Sequence, residues 1–219
     1  MKIFAFSDTH TYHNQLNIPE VDLIIFVGDC SNKHNIYENE LEVRNFLEWY
    51  RVLPCENKIF IAGNHDGSIC KKLIRKEEYP ELIWLEHESA NIEGLNIFGS
   101  PFSPRFGDWA YMYKRNIGKE VWSSIPDDTD IICCHTMPKG CLDLTKDFNN
   151  NLIQVGCKAL LNRVLEVKPK IGFFGGHLHN EKDITNFGMV SRNGVKIYNC
   201  SAINHHRPEE FNQGHIIEI

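Results

Sequence analysis

Asp8 and His10, Asp29, the run Asn64-His65-Asp66, His135, and the pair His177 and His179 are the residues of this chain whose types and places could do chemistry. They stand in FAFSDTH (4–10), LIIFVGD (23–29), KIFIAGNHDG (58–67), IICCH (131–135) and IGFFGGHLH (171–179). Carboxylate and amide oxygens together with imidazole nitrogens are the donors that hard and borderline divalent ions take. Asp8, His10, Asp29, Asn64, His135, His177 and His179 are too many for one ion, and they suit two. Asp29, alone at the end of its run, is the natural shared ligand, because an ionised carboxylate has two oxygens to give. His177 and His179 would face one way on a strict strand, whereas a turn could aim them at different ions.

Each of these groups follows an apolar run of strand length, which reads as a buried strand. In open α/β sheets ligands gather at the carboxyl ends of the strands, where loops and unpaired backbone groups converge. Five strands therefore deliver Asp, Asn or His to one edge. Taken singly, a strand-end Asp or His is more often a turn former or a solvated group; five in succession are not.

The connecting segments have the patterns such an edge requires. Lys2–Ser7 and Val21–Val27 read as strands, and Asn35–Leu53 as a helix with Val43, Phe46, Leu47 and Tyr50 on one face. Gly67–Glu78 reads as a second helix and Leu82–Leu85 as a short strand. Asn91–Glu93 and Asn96–Phe98 form a hairpin around Gly94. Ser100–Arg115 is a long irregular segment rich in aromatics and prolines, and Gly118–Ser124 a short helix. After Thr136–Gln154, a second long loop, Gly156–Val167 carries the clearest amphipathic pattern, and Gly188–Ile219 reads as antiparallel strands around Asn193-Gly194. Two halves, each running from strand-helix alternation into hairpins, predict an α/β fold: a four-layer αββα sandwich of two mixed β-sheets flanked by helices, in one domain over 1–219.

Composition bounds the function. The hydrophobic share is 42% and the charged share 24%, ordinary for a globular chain. No apolar run approaches the ~18 residues of a membrane span, and no secretory leader is visible, so a cytoplasmic location is expected. Eight scattered cysteines without a CxxC pair read as reduced packing residues. Cys133 and Cys134 should point to opposite faces of their strand. A net charge of −6 disfavours long nucleic acid as a partner, since phosphate neutralisation supplies most of that affinity. A small phosphorylated molecule, whose charge bound metal can meet, fits better. Of the remaining histidines, surface placement is expected for His13, His34, His87, His205, His206 and His215, with His13 and His205 the first exceptions.

DTH, GD, GNHD, the isolated His135 and GHLH, in that order and each after an apolar strand, resemble the calcineurin-like metallophosphoesterase superfamily. GSPFSPRFGDWAY (99–111) and GCKALLNRVLEVKPKIGFFGGHLH (156–179) are similar to its metallophosphoesterase-domain-containing branch. That branch tends to carry Thr-His-Gly-Pro-Pro where this chain has Cys134-His135-Thr136-Met137-Pro138, so the loop on the substrate side should be shaped differently. The resemblance implies that Asp8, His10, Asp29 and His179 hold a first metal, and Asn64, His135, His177 and the shared Asp29 a second, with His65 beside the phosphate. The metals would be divalent transition ions, with Mn, Fe and Zn all acceptable to these donors. It also implies phosphodiester hydrolysis, cyclic nucleotides included.

The chemistry agrees with that division. Two ions about 3.5–4 Å apart can hold a bridging water as hydroxide for in-line attack on phosphorus. His65 would then protonate the leaving oxygen, with Asp66 orienting it. Asn64 would serve the substrate as well as a metal, Phe102, Phe106, Trp109 and Tyr111 would either stack on a nucleobase or cap the sandwich core, and Arg105 would meet a second phosphate. The alternatives are a phosphomonoesterase with the same metal pair, a nuclease, and a non-catalytic scaffold of the same fold.

Overall fold

A computed structural model describes residues 1–204 and 210–219. In chain order its elements are β1 (Lys2–Phe6), β2 (Leu23–Val27), α1 (Ile36–Arg51), β3 (Asn57–Ile61), α2 (Gly67–Cys70), β4 (Ile83–Trp84), β5 (Glu88–Ile92), β6 (Leu95–Ser100), β7 (Ser103–Pro104), β8 (Met112–Tyr113), α3 (Gly118–Trp122), β9 (Ile131–Cys134), β10 (Leu144–Lys146), β11 (Leu152–Gln154), α4 (Lys158–Val167), β12 (Gly172–Gly175), β13 (Gly188–Arg192), β14 (Val195–Asn199) and β15 (His215–Glu218).

Two mixed sheets result, a five-stranded one in the order β15-β1-β2-β3-β4 and a six-stranded one in the order β13-β14-β12-β9-β6-β5. Side chains alternate across each strand, so successive apolar residues serve different layers. Ile3, Ala5, Ile25 and Ile59 face inward and meet Ile97, Ile131, Cys133 and Phe174 of the second sheet. Phe4, Phe6, Phe26 and Phe60 face outward under α1, against Val43, Phe46, Leu47 and Tyr50. On the far side Phe98, Ile132, Cys134 and Phe173 pack under Trp122 of α3 and Leu160 and Val164 of α4. This is the four-layer αββα sandwich, and Cys133 and Cys134 do point into different layers. All eight cysteines are free.

Local chemistry sets the helix ends. The Asn35 side chain accepts from the amides of Tyr37 and Glu38 and caps α1, which leaves Asn35 itself outside the helix. The second predicted helix is mostly absent: α2 stops at Cys70, Lys72 lies at φ 60°, and a separate 3-10 turn covers Lys76–Glu78. A left-handed lysine cannot continue an α-helix. The long segment after β6 folds back through the pairing of β7 with β8, and the loop after His135 carries the hairpin β10–β11. β15, in the tail, pairs antiparallel with β1, so residues 215–218 complete the first sheet rather than the second.

His13 is buried at 1% exposure beside Phe46 and Trp49, whereas His87 and His215 are half-buried rather than on the surface; His205 and His206 lie outside the described residues. Burial holds the His13 imidazole down at about 4, against an ordinary 6.5. The unfolded chain therefore binds the extra proton, and the contribution of neutral His13 is complete above pH 6.5 and lost as pH falls toward 4. Relative to His13→Gln, denaturant unfolding of the native chain should lose about 2 kcal/mol of stability between pH 7 and pH 5. No helix of the described residues is long and apolar enough to cross a membrane.

Candidate metal centre

Parallel pairing of β2 with β1 and β3, and of β9 with β12, brings five carboxyl ends to one edge of the sandwich. The two sheets are joined there by backbone hydrogen bonds: the Ser7 amide donates to the Cys200 carbonyl and the Ala202 amide to the Ser7 carbonyl. Asp8, His10, Asp29 and His177 all lie at positive φ, between 41° and 70°. Such backbone costs of order 1–3 kcal/mol per residue and is held only where the surroundings over-determine it. Gly28 shows how close the packing is, because at φ 95° a Cβ there would sit 2.5 Å from Nδ1 of His135.

The donor atoms fall into groups. Asp8, His10 and His179 form one and Asp29, His135 and His177 another, with the atoms of each group within 4.8 Å of one another. Nε2 of His179 is 3.1 Å from Asp8 Oδ1 and 3.3 Å from Nε2 of His10. Nε2 of His135 lies 2.9 Å from Asn64 Oδ1 and 3.2 Å from Asp29 Oδ2. The same Asp29 oxygen is 3.9 Å from Nε2 of His10. Asp29 thus faces both groups. The turn at His177 (φ 70°) separates its ring from that of His179, so the two histidines join different groups.

Supporting bonds fix which nitrogen is presented. Nδ1 of His10 donates to the Ser31 carbonyl and Nδ1 of His135 to the Val27 carbonyl, each at 2.9 Å. Because a carbonyl can only accept, both rings carry a proton on Nδ1 and turn Nε2, the atom a metal would take, inward. Burial, reinforced by neighbouring histidines, holds His10 down at about 4 and His177 at about 3. Burial also opposes charge on His135, but the Asp29 carboxylate beside it prevails and lifts it to about 9. Against the same burial, His179 draws Asp8 down to about 2, and the histidines around Asp29 hold its carboxyl well below the ordinary range. Buried carboxylates among lone-pair-bearing imidazoles form a donor set that fits divalent metal, which would displace the proton now shared by His135 and Asp29.

His65 lies at the rim. Its amide donates to Asp29 Oδ1 (2.7 Å), and its ring packs against His10 and Trp109 with centroids 4.7 Å and 4.3 Å away. Its Nδ1 has no hydrogen-bond partner among the described residues. Asp66 does not orient that ring. Its fully buried carboxylate accepts instead from the amides of Gly63, Asp29, Cys30 and Ser31 and from the Ser31 hydroxyl, pinning the loops that carry Asp29 and Asn64. Asp66→Ala should cost about 3 kcal/mol or more in urea denaturation, since each buried amide left without an acceptor costs roughly 1–3 kcal/mol.

Chain comparison gives these loops a context. The profile described as calcineurin-like phosphoesterase matches residues 1–181. The chain belongs to this family. It is 33% identical to metallophosphoesterase domain-containing protein 1 of Homo sapiens over 90% of this chain and 64% of that protein, and equally similar to the Mus musculus protein. It thus spans 64% of the length of those relatives. Among solved structures, phosphopantetheinyl hydrolase of Mycobacterium tuberculosis matches with TM-score 0.60 and 13% identity over 94% of this chain and 90% of that one. TT1561 of Thermus thermophilus matches with TM-score 0.55 and 13% identity, covering 90% and 88%. At such identities the likeness is one of fold.

A cleft of about 370 Å³ opens over the candidate metal centre, lined by Asp29, Asn64, His65, His177 and His179 and walled by Phe106, Trp109 and Arg115. Trp109 lines this cleft, whereas Arg105 and Phe102 do not. The Arg105 guanidinium turns away to the Gly107 carbonyl (3.1 Å) and to Asp108 (3.4 Å), a partner already visible three residues on. Phe102 packs on His87 and Tyr111 at the core margin. Arg115, which the sequence reading missed, takes Arg105's expected place because the β7–β8 pairing brings the end of the loop back to the cleft. Thr136, Thr145 and Glu181 also line it, and no spacing signal in the sequence marks them.

Proposed function

We propose that the chain is a binuclear metal-dependent phosphodiesterase acting on a small nucleotide-type diester, cyclic ones included. The observation that carries this is Asp29, whose Oδ2 lies 3.2 Å from His135 Nε2 and 3.9 Å from His10 Nε2, between two donor groups. Asp8, His10 and His179 with Asp29 would hold one ion, and Asn64, His135 and His177 with Asp29 the other. When bound, the pair supplies an activated water and positive charge at the phosphoryl oxygens.

The chain's own residues do the rest. The Asp29 carboxylate keeps both donor groups in register, and its Oδ1 fixes the His65 backbone. His65, at the rim of the cleft, gives its proton to the leaving oxygen. The faces of Trp109 and Phe106 offer stacking surfaces for a base, worth about 1–3 kcal/mol each. Arg115 is the cation available to a phosphate oxygen or sugar edge.

A turnover panel on metal-loaded protein tests the proposal: bis-p-nitrophenyl phosphate, p-nitrophenyl phosphate, and 2′,3′- and 3′,5′-cyclic nucleotides, with Asp29→Asn as the blank. Diester turnover absent from the blank is the expected result. Turnover of the monoester alone would replace the proposal with phosphomonoesterase activity. Silence on every ester with metal bound would favour a scaffold.

A further inference from the structure

A second cleft of about 260 Å³ lies behind the first, and the wall between them is Asn64, His65 and Trp109, which line both. Of the residues that bear metal-ligating side chains, the second cleft contains Asn64, whereas the first also contains Asp29, His177 and His179. Its charged lining is Lys33, Lys71 and Asp108, with His34 beside them. Lys71 has no ion-pair partner among the described residues, and Lys33 has only a long 3.9 Å approach to Glu38. The Asp108 carboxylate is engaged by Arg105 (3.4 Å). The rings of His34 and Trp109 pack at 4.3 Å, so one side of the cleft is an aromatic face. In a chain of net charge −6, a recess with two lysines at its mouth is a local reversal of sign.

A phosphodiester has two ester arms, and His65 stands between two recesses. Resting on the phosphodiesterase reading above, we infer that the second cleft is the leaving-group subsite and that it takes an alcohol bearing a further anionic group, a phosphate or carboxylate. With phosphorus at the metal centre, the arm beside Phe106 stays on the metal side. The other arm passes His65 and enters the cleft of Lys33 and Lys71. Water adds to phosphorus as the P–O bond to that arm breaks. The His65 proton goes to the departing oxygen, which leaves as an alcohol toward the lysines, and the proton released by the water restores His65 through solvent. Asn39 does not compete for the ligand, because its amide is spent on Ser31, the carbonyls of Lys33 and His65, and the Ser68 amide.

Two aryl esters of thymidine 5′-monophosphate test this, one leaving as 4-hydroxybenzoate and one as the neutral 4-hydroxybenzamide. The readout is the ratio of kcat/KM for the anionic over the neutral ester in metal-loaded protein. Lys33→Ala/Lys71→Ala should lower that ratio about tenfold, and raising salt from 50 to 300 mM should shrink the native ratio toward that of the variant. Lys72→Ala, whose amine pairs outside the cleft with Glu86 at 3.0 Å, should leave the ratio unchanged. An unchanged ratio in the double variant, with the neutral ester still hydrolysed, would overturn the subsite while leaving the phosphodiesterase standing. Failure of native protein to hydrolyse either ester would overturn the phosphodiesterase and the subsite together.

Discussion

Asp29→Asn is expected to empty both halves of the metal centre and to lower ester turnover by at least about 10³-fold, the upper range for removing one pre-placed charge. Asparagine keeps the volume and an oxygen able to accept from the His65 amide, a 2.7 Å bond in the native chain, so the loop should hold its shape. What disappears is the anion between His10 and His135. His135 is lifted to about 9 chiefly by that carboxylate against its own burial, so without Asp29 the ring loses its nearest charged partner. Metal analysis after gel filtration reads the result directly. If the variant kept one ion at full occupancy, Asp29 would serve a single site and the shared-ligand account would be wrong.

His65→Gln should retain bound metal and yet lose about 10²–10⁴-fold in turnover of diesters with poor leaving groups, the range of a positioned general acid. p-Nitrophenolate departs without a proton, so bis-p-nitrophenyl phosphate should lose far less. The expectation follows from the ring's place. It packs between His10 and Trp109, with an Nδ1 that no protein group among the described residues occupies, and its backbone is fixed by Asp29, Ser31 and Asn39. Equal losses for both leaving groups would assign His65 to holding the phosphate instead.

Much of this was legible in the chain because short-range rules govern it. A buried strand followed by Asp, Asn or His needs no distant partner to be recognised, and all five such strand ends arrive at one edge. The amphipathic faces of α1 and α4 follow from spacing alone. Side-chain partners at long range were not legible. Asp66 reads as a catalytic neighbour of His65, but its acceptors are spent on amides 35 to 37 residues earlier as well as on Gly63. Arg105 and Arg115 are indistinguishable until β7 and β8 pair and decide which one returns to the cleft. The second predicted helix failed on one backbone angle, at Lys72.

The joining of β15 to β1 also sets an order of events in the cell. Asp8 is braced by the His177 amide, and the strand leading to it is paired with residues 215–218. A ribosome adds roughly 5–20 residues per second, so Asp8 waits on the order of 10–40 s before those partners exist. Closing contacts across so long a stretch of chain is also entropically costly and slow. The nascent chain can therefore offer early-made carboxylates and histidines but not an assembled pocket. Metal capture at Asp8 would then follow synthesis of residues 215–218 rather than guide the folding of the first strand.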